Sequence, residues 1–165
     1  MVSPLPGNSA AWHESIVQPI TYPVSPPFSE LTDLMRDDGS DKRKRRWQEA
    51  LRRSVDAIAG LTAIDGATVI TDTYELLAFG AKIGRREGRP RIESVVVTEP
   101  IEGSVATSVH PTELGGTRHL SAAQFVQDQR DGIALVASQD GRFTIFSWLS
   151  SEEMVYAHRA ETLLL

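Results

Sequence analysis

Apolar residues recur at helical spacing between positions 41 and 60. Trp47, Leu51, Val55 and Ile58 fall within about 80° of one another on a helical wheel. This spacing predicts an amphipathic helix, with Ser40 or Asp41 to cap its start and Gly60 to mark its end. Beyond it the pattern shortens. Segments 67–71 and 75–83 read as two strands of a hairpin turning at Asp72-Thr73-Tyr74, and 92–98, with its run of valines, reads as a buried strand. Segments 132–138 and 142–149 form a second hairpin around Gln139-Asp140-Gly141. A helix is expected over 117–129. His119, Ala122, Ala123 and Val126 share its apolar face, and Leu120 projects roughly opposite, where a surface helix should be polar. Ser150-Ser151-Glu152-Glu153 has the form of a capping box opening a final helix.

The first forty residues follow no such period. They hold Pro4, Pro6, Pro19, Pro23, Pro26 and Pro27, which exclude a regular helix or a central strand. Scattered apolar residues such as Trp12, Ile16 and Phe28 suggest an arm draped over the domain or its neighbour, with a short helical turn over 29–35 and a loop over 36–40. The organisation is therefore a proline-rich arm over 1–40 and a folded domain over 41–165. Segment 84–90 reads as a polar loop and 99–116 as a Gly-, Ser- and Pro-containing connection. Helices interleaved with two hairpins and a lone strand predict an α/β (mixed α+β) fold, a mixed β-sheet flanked by helices.

Composition adds bounds. The chain of 165 residues is 41% hydrophobic, enough for one domain with a proper core. The absence of cysteine excludes disulfides and Cys-ligated zinc and fits a reducing cytoplasm. No apolar run approaches the roughly 18 residues of a membrane helix, and the first residues lack the regions of a signal peptide. A net charge of −5 argues against general nucleic-acid binding. The basic run Lys42-Arg43-Lys44-Arg45-Arg46 is continued by Arg52 and Arg53. Arg45, Arg46, Arg52 and Arg53 share a polar helix face with Glu49 and Asp56, at spacings that suit a solvated, salt-bridged face, with anion or partner docking as the alternative. The chain closes on Leu163-Leu164-Leu165 without a polar tail, which fits a piece of a longer protein whose output domain lies elsewhere.

Two strings carry candidate chemistry. Asp65-Gly66-Ala67 stands at a loop-to-strand junction, where a carboxylate can meet a metal or a ribose hydroxyl. Alone such a string is most often a turn, with Asp for a local hydrogen bond and Gly for positive φ. Gly115-Gly116-Thr117-Arg118-His119 opens a helix, where backbone N–H groups, a hydroxyl and a guanidinium can converge on an anion. Its structural reading is a loop ending in a Thr N-cap. Arg118 fits that reading poorly, because a cation at a helix start opposes the macrodipole and a bound anion reverses the penalty. His119 suits a buried structural histidine as well as a phosphate or metal contact. No nucleophile elbow, Walker loop or dinucleotide fingerprint is present, and His110 and His119 lack a metal-ligand spacing.

As a pair about fifty residues apart, the two strings resemble the signature motifs of the diadenylate cyclase (DisA-type) domain, Asp-Gly-Ala and Gly-Thr-Arg-His-Arg-x-Ala. The resemblance covers roughly 61–149 and agrees in element order. It implies a mixed sheet flanked by helices, with the Asp at the catalytic centre and the second motif holding ATP phosphates. Carried over residue by residue, it marks Asp65, Gly66, Ala67, Gly116, Thr117, Arg118, His119 and Ala122.

Two positions depart from the family pattern. Leu120 stands where the family has its second Arg, and Gln139 where it has a metal-binding Glu; Asp140 could substitute only if the turn reorients it. Phosphoryl transfer depends on metal and cations to neutralise the triphosphate, so both departures point away from catalysis. The pattern is similar to the noncatalytic DisA-related sensor domains of bacterial signalling and anti-phage defence proteins. The expectation is a cytoplasmic sensor domain binding a nucleotide or nucleotide-derived signal through Asp65, Gly66, Ala67, Gly116, Thr117, Arg118, His119 and Leu120. Mg²⁺ or Mn²⁺, with Asp65 and Asp140 as ligands, enters if a triphosphate binds. The alternatives are an active cyclase making cyclic di-AMP from ATP, with Asp65 catalytic, and an interaction module using the arm and the basic helix. A homo-oligomer and a separate output domain or protein are the further partners this reading carries.

Overall fold

The computed structural model describes residues 2–3, 14–20, 45, 47–50, 52–53, 56, 60–61, 65–71, 76–101, 103–138 and 141–160. Among them are β1 (Val2–Ser3), β2 (Ile16–Ile20), β3 (Ala67–Ile70), β4 (Leu76–Ile83), β5 (Val95–Thr98), β6 (Thr107–Val109), β7 (Ile133–Ala137), β8 (Phe143–Leu149) and β9 (Met154–Arg159). Helices α1 (Pro111–Gly115) and α2 (Thr117–Asp128) separate β6 from β7. The strands form one mixed sheet in the order β2-β4-β3-β1-β7-β8-β9-β5-β6. The fold class is mixed α+β. No helix among the described residues is long and apolar enough to cross a membrane.

Both expected hairpins are present, β3 with β4 and β7 with β8, each antiparallel. The turn at Asp72-Thr73-Tyr74 and residues Gln139 and Asp140 lie outside the described residues, as do 29–40. The described residues between 45 and 61 are helical, and Gly60 and Leu61 continue the helical backbone past the expected stop. Trp47 and Ala50 are half-buried while Arg45, Glu49, Arg52, Arg53 and Asp56 are exposed. That is the solvated polar face the spacing suggests. Arg53 there donates to the Glu49 carbonyl, 3.3 Å away.

Two pieces of the proline-rich 1–40 segment are strands of the sheet. β1 lies between β3 and β7, parallel to the first and antiparallel to the second. This corrects the expectation that prolines keep the segment out of the sheet's middle: a two-residue strand fits because it ends just before Pro4. β2 occupies an edge beside β4 with register shifts, where Pro19 forfeits no necessary ladder bond.

Three further expectations change. The 99–116 connection contains β6, antiparallel to β5, and the short helix α1. Ser150-Ser151-Glu152-Glu153 is a turn, in which Glu153 takes φ of 51°, and the described residues after it are not helical. The next residues alternate instead, with Val155 and Ala157 buried and His158 exposed, so they form β9 against β8. Leu120, expected to face outward, is partly buried against the core cluster.

The reason for the third change is that α2 is covered on more than one side. One sheet face supplies Val95, Val97, Ala134, Val136, Phe146, Val155 and Ala157, which cluster with Ala122, Ala123, Phe125 and Val126 of the helix. Another side meets the 84–92 loop through polar contacts. Gln124 Oε1 accepts from the Ile92 N–H (2.9 Å), and its Nε2 donates to the Pro90 carbonyl (3.1 Å) and to Asp128 Oδ1 (3.0 Å). Gln127 donates to the same Pro90 carbonyl, and Asp128 Oδ2 accepts from the Arg86 N–H at 2.8 Å. The strand expected from 92 consequently begins only at Val95, because the Ile92 amide is committed to the helix.

Gln124 and Asp128 are 6% and 5% exposed. Burial pushes the Asp128 carboxyl above its ordinary value, against the lowering effects of the Arg86 N–H, Gln124 and the charges of Arg89 and Arg86. Between the ordinary and the raised value the folded chain holds a proton that the unfolded chain has released. This contribution to stability is full below the ordinary aspartate value and is lost as pH rises through the raised one. Urea denaturation from about pH 4 upward should therefore contain a falling component that disappears in Asp128→Asn. At neutral pH, Asp128→Ala strands the Arg86 N–H and a Gln124 donor and should cost about 1–3 kcal/mol.

Candidate functional site

The second motif sits at a break between two helices. His110 caps α1: its Nδ1 accepts from the Thr112 N–H (3.3 Å), and Glu113 Oε1 accepts from the His110 N–H (3.1 Å). Pro111 takes the first helical position, where its missing N–H costs nothing. The pattern His-Pro-x-Glu thus held a helix start that the periodicity of so short a segment did not show. The chain turns at Gly116 (φ 74°, ψ −146°), which closes α1 and serves as N-cap of α2.

Thr117 is the first helical residue rather than the cap, and the N-cap, Gly116, makes no side-chain cap hydrogen bond among the described residues. The Leu120 N–H finds the Gly116 carbonyl at 3.2 Å, so the amides of Thr117 and Arg118 precede the first helical acceptor. The Gly116 amide, by contrast, already donates to the Thr112 carbonyl at 3.0 Å. A ligand at this helix start meets the Thr117 and Arg118 amides, not that of Gly116.

A cavity of about 320 Å³ opens there, lined among the described residues by Gly115, Thr117, Arg118 and Ser138. It combines an exposed guanidinium with a threonine and a serine side chain, beside the positive end of a twelve-residue helix. This donor set suits an anion such as a phosphate. Ser138 directly follows β7, which ends at Ala137. It closes the strand expected over 132–138 and is not among the expected site residues; its position at a strand end, opposite a helix start, was the available signal.

His119 lies beneath this cavity, not in it. It is 1% exposed, with Nε2 3.4 Å from Thr144 Oγ1 and its ring edge-on to Phe146 at 5.9 Å. The structural reading of this histidine is the one the packing supports. Gly115 makes room for it, since a Cβ there would stand 2.3 Å from the imidazole Cε1. Leu120 packs on the core and is absent from the described lining.

Asp65 and Gly66 are exposed, and Ala67 is half-buried at the start of β3. Gly66 has φ of 121°, and a Cβ on it would fall 2.5 Å from the Gly80 carbonyl carbon of β4. The close crossing of two backbones accounts for this glycine without any ligand. Register relates the two motifs. Val2 pairs with both Val69 and Ala134, so Ala67 lies level with Val136, about 10 Å away across two strand spacings. Val136 pairs with Thr144, the neighbour of His119. Asp65 and the start of α2 therefore stand at the same end of the sheet, although Asp65 is not among the described lining residues. Among the described residues no group of three or more His, Asp or Glu side chains could hold a metal ion.

No protein-family profile, curated protein or solved structure matches this chain.

Proposed function

We propose that this chain is a noncatalytic, DisA-related sensor domain that binds a nucleotide or nucleotide-derived phosphate at the start of α2. The observation that carries the reading is the cavity of about 320 Å³ bounded by Gly115, Thr117, Arg118 and Ser138. Its size is at the lower end of small-ligand sites. The phosphate is taken by the Arg118 guanidinium, the Thr117 and Ser138 hydroxyls and the first-turn amides of Thr117 and Arg118. Asp65, at the same sheet end, takes a ribose hydroxyl or a bridging cation. Leu120 supplies no charge where the family motif has Arg, which favours holding a ligand over neutralising a reacting triphosphate. A cytoplasmic setting and a separate output domain belong to the same proposal.

A thermal-shift screen against mono-, di-, tri- and cyclic nucleotides tests it. A ligand at 100 times its dissociation constant should stabilise the fold by about 2.7 kcal/mol. The absence of any stabilising nucleotide, with the protein folded, would remove the reading. A shift that survives Arg118→Ala would move the site elsewhere.

A further inference from the structure

Arg85, Arg86, Arg89 and Arg91 crowd the 84–92 loop, where Glu87 is the sole acid, in a chain whose net charge is −5. The side chains of Arg85, Arg89 and Arg91 are exposed, while Arg86 pairs with the Glu14 carboxylate at the entry to β2. An ordinary surface loop would leave such a backbone to water. Here the protein commits two buried polar side chains to it: Asp128 takes the Arg86 N–H, and Gln124 takes both the Ile92 N–H and the Pro90 carbonyl. Gln127 adds a second bond to Pro90. Burying an amide and a carboxyl is costly unless they are bonded, and what they fix is the backbone that carries the arginines.

We propose that the 84–92 loop is a preorganised docking surface for a carboxylate-rich segment of a partner protein. Guanidinium forks pair bidentately with carboxylates, and a backbone already held in place lowers the ordering cost of binding. Three features favour this chemistry over nucleic acid. The loop has no aromatic residue on which a base could stack. Exposed Glu87 and Glu93 interrupt and follow the arginines, and would repel a continuous phosphate backbone. The acidic balance of the whole chain repels a long polyanion but tolerates a short local contact. The surface is built by the second half of α2, whereas the cavity is at its start, so the proposal stands apart from the nucleotide reading.

Fluorescence anisotropy at low salt provides the test, using the full chain, a short labelled peptide of alternating Glu and Ser, and a labelled oligothymidylate of equal charge. The peptide should bind, weaken as salt is raised, and lose at least about tenfold in affinity when Arg85, Arg89 and Arg91 are all replaced by Ser. Those side chains are exposed, so the melting temperature of that variant should be close to that of the parent. Asp128→Ala keeps every arginine but releases the Arg86 amide, and should weaken peptide binding by a smaller factor. Unchanged peptide affinity in the triple variant would overturn the proposal. So would failure of the peptide to bind, or tighter binding of oligothymidylate that the triple variant abolishes.

Discussion

Gly66→Ala is expected to destabilise the fold by about 2–5 kcal/mol, through strain at positive φ and through overpacking. The new Cβ would fall 2.5 Å from the Gly80 carbonyl carbon and 2.8 Å from its Cα. Both are backbone atoms of the neighbouring strand, so no rotamer change relieves the contact. One of the two strands must move, and β3 and β4 are each paired again on their far sides, to β1 and β2. Gly60 supplies the control. It is helical and, among the described residues, a Cβ there meets nothing within 4 Å, so Gly60→Ala should leave stability unchanged or raise it by up to about 1 kcal/mol. Urea denaturation of the two variants separates the cases. Equal stability of Gly66→Ala and the parent would contradict the close crossing of β3 and β4.

That glycine also shows how far the sequence could be read. Asp-Gly-Ala looked like a ligand motif or a turn, and the crossing at Gly80 is a third reason for its glycine, invisible without the partner strand. The hairpins were legible because period-two apolar runs were separated by short polar turns. The α2 boundary was legible because Gly-Gly-Thr reads as a loop that opens a helix, although Gly116 rather than Thr117 is the cap. β9 was not, since Ser-Ser-Glu-Glu fits a capping box locally, and only pairing with β8 decides between helix and strand. Leu120 misled because a helical wheel assumes one buried face. Gln124 and Asp128, polar residues on the side meeting the 84–92 loop, are buried too. At the site, Thr117 and Arg118 could be named from sequence, but the burial of His119 depends on Thr144 and Phe146 from a distant strand. The loss of the Gly116 amide to Thr112 depends on α1, a helix too short for periodicity to reveal.

Incubation with ATP and Mg²⁺ or Mn²⁺ should yield no cyclic dinucleotide above background by chromatography. Attack on a triphosphate needs its charge neutralised by metal and cations, and such electrostatic stabilisation is worth several kcal/mol of barrier. The described cavity presents one guanidinium, that of Arg118, and Leu120 is turned to the core instead of the cavity. One guanidinium with two hydroxyls and the first-turn amides is enough to hold a phosphate without activating it. Arg118→Ala should accordingly remove about 1.5–3 kcal/mol of binding, a loss of roughly 10- to 150-fold in affinity for whichever nucleotide the thermal-shift screen identifies. The exposed position of Arg118 means that the unliganded variant should melt within a degree or two of the parent. Asp65→Asn discriminates further. If Asp65 takes a ribose hydroxyl, Asn retains part of the hydrogen bonding and binding weakens modestly; if it holds a bridging cation, binding loses its dependence on divalent metal. Cyclic di-AMP that accumulates with the parent and vanishes in Asp65→Asn would replace the sensor by a cyclase, in which catalysis would have to proceed without the second arginine at position 120.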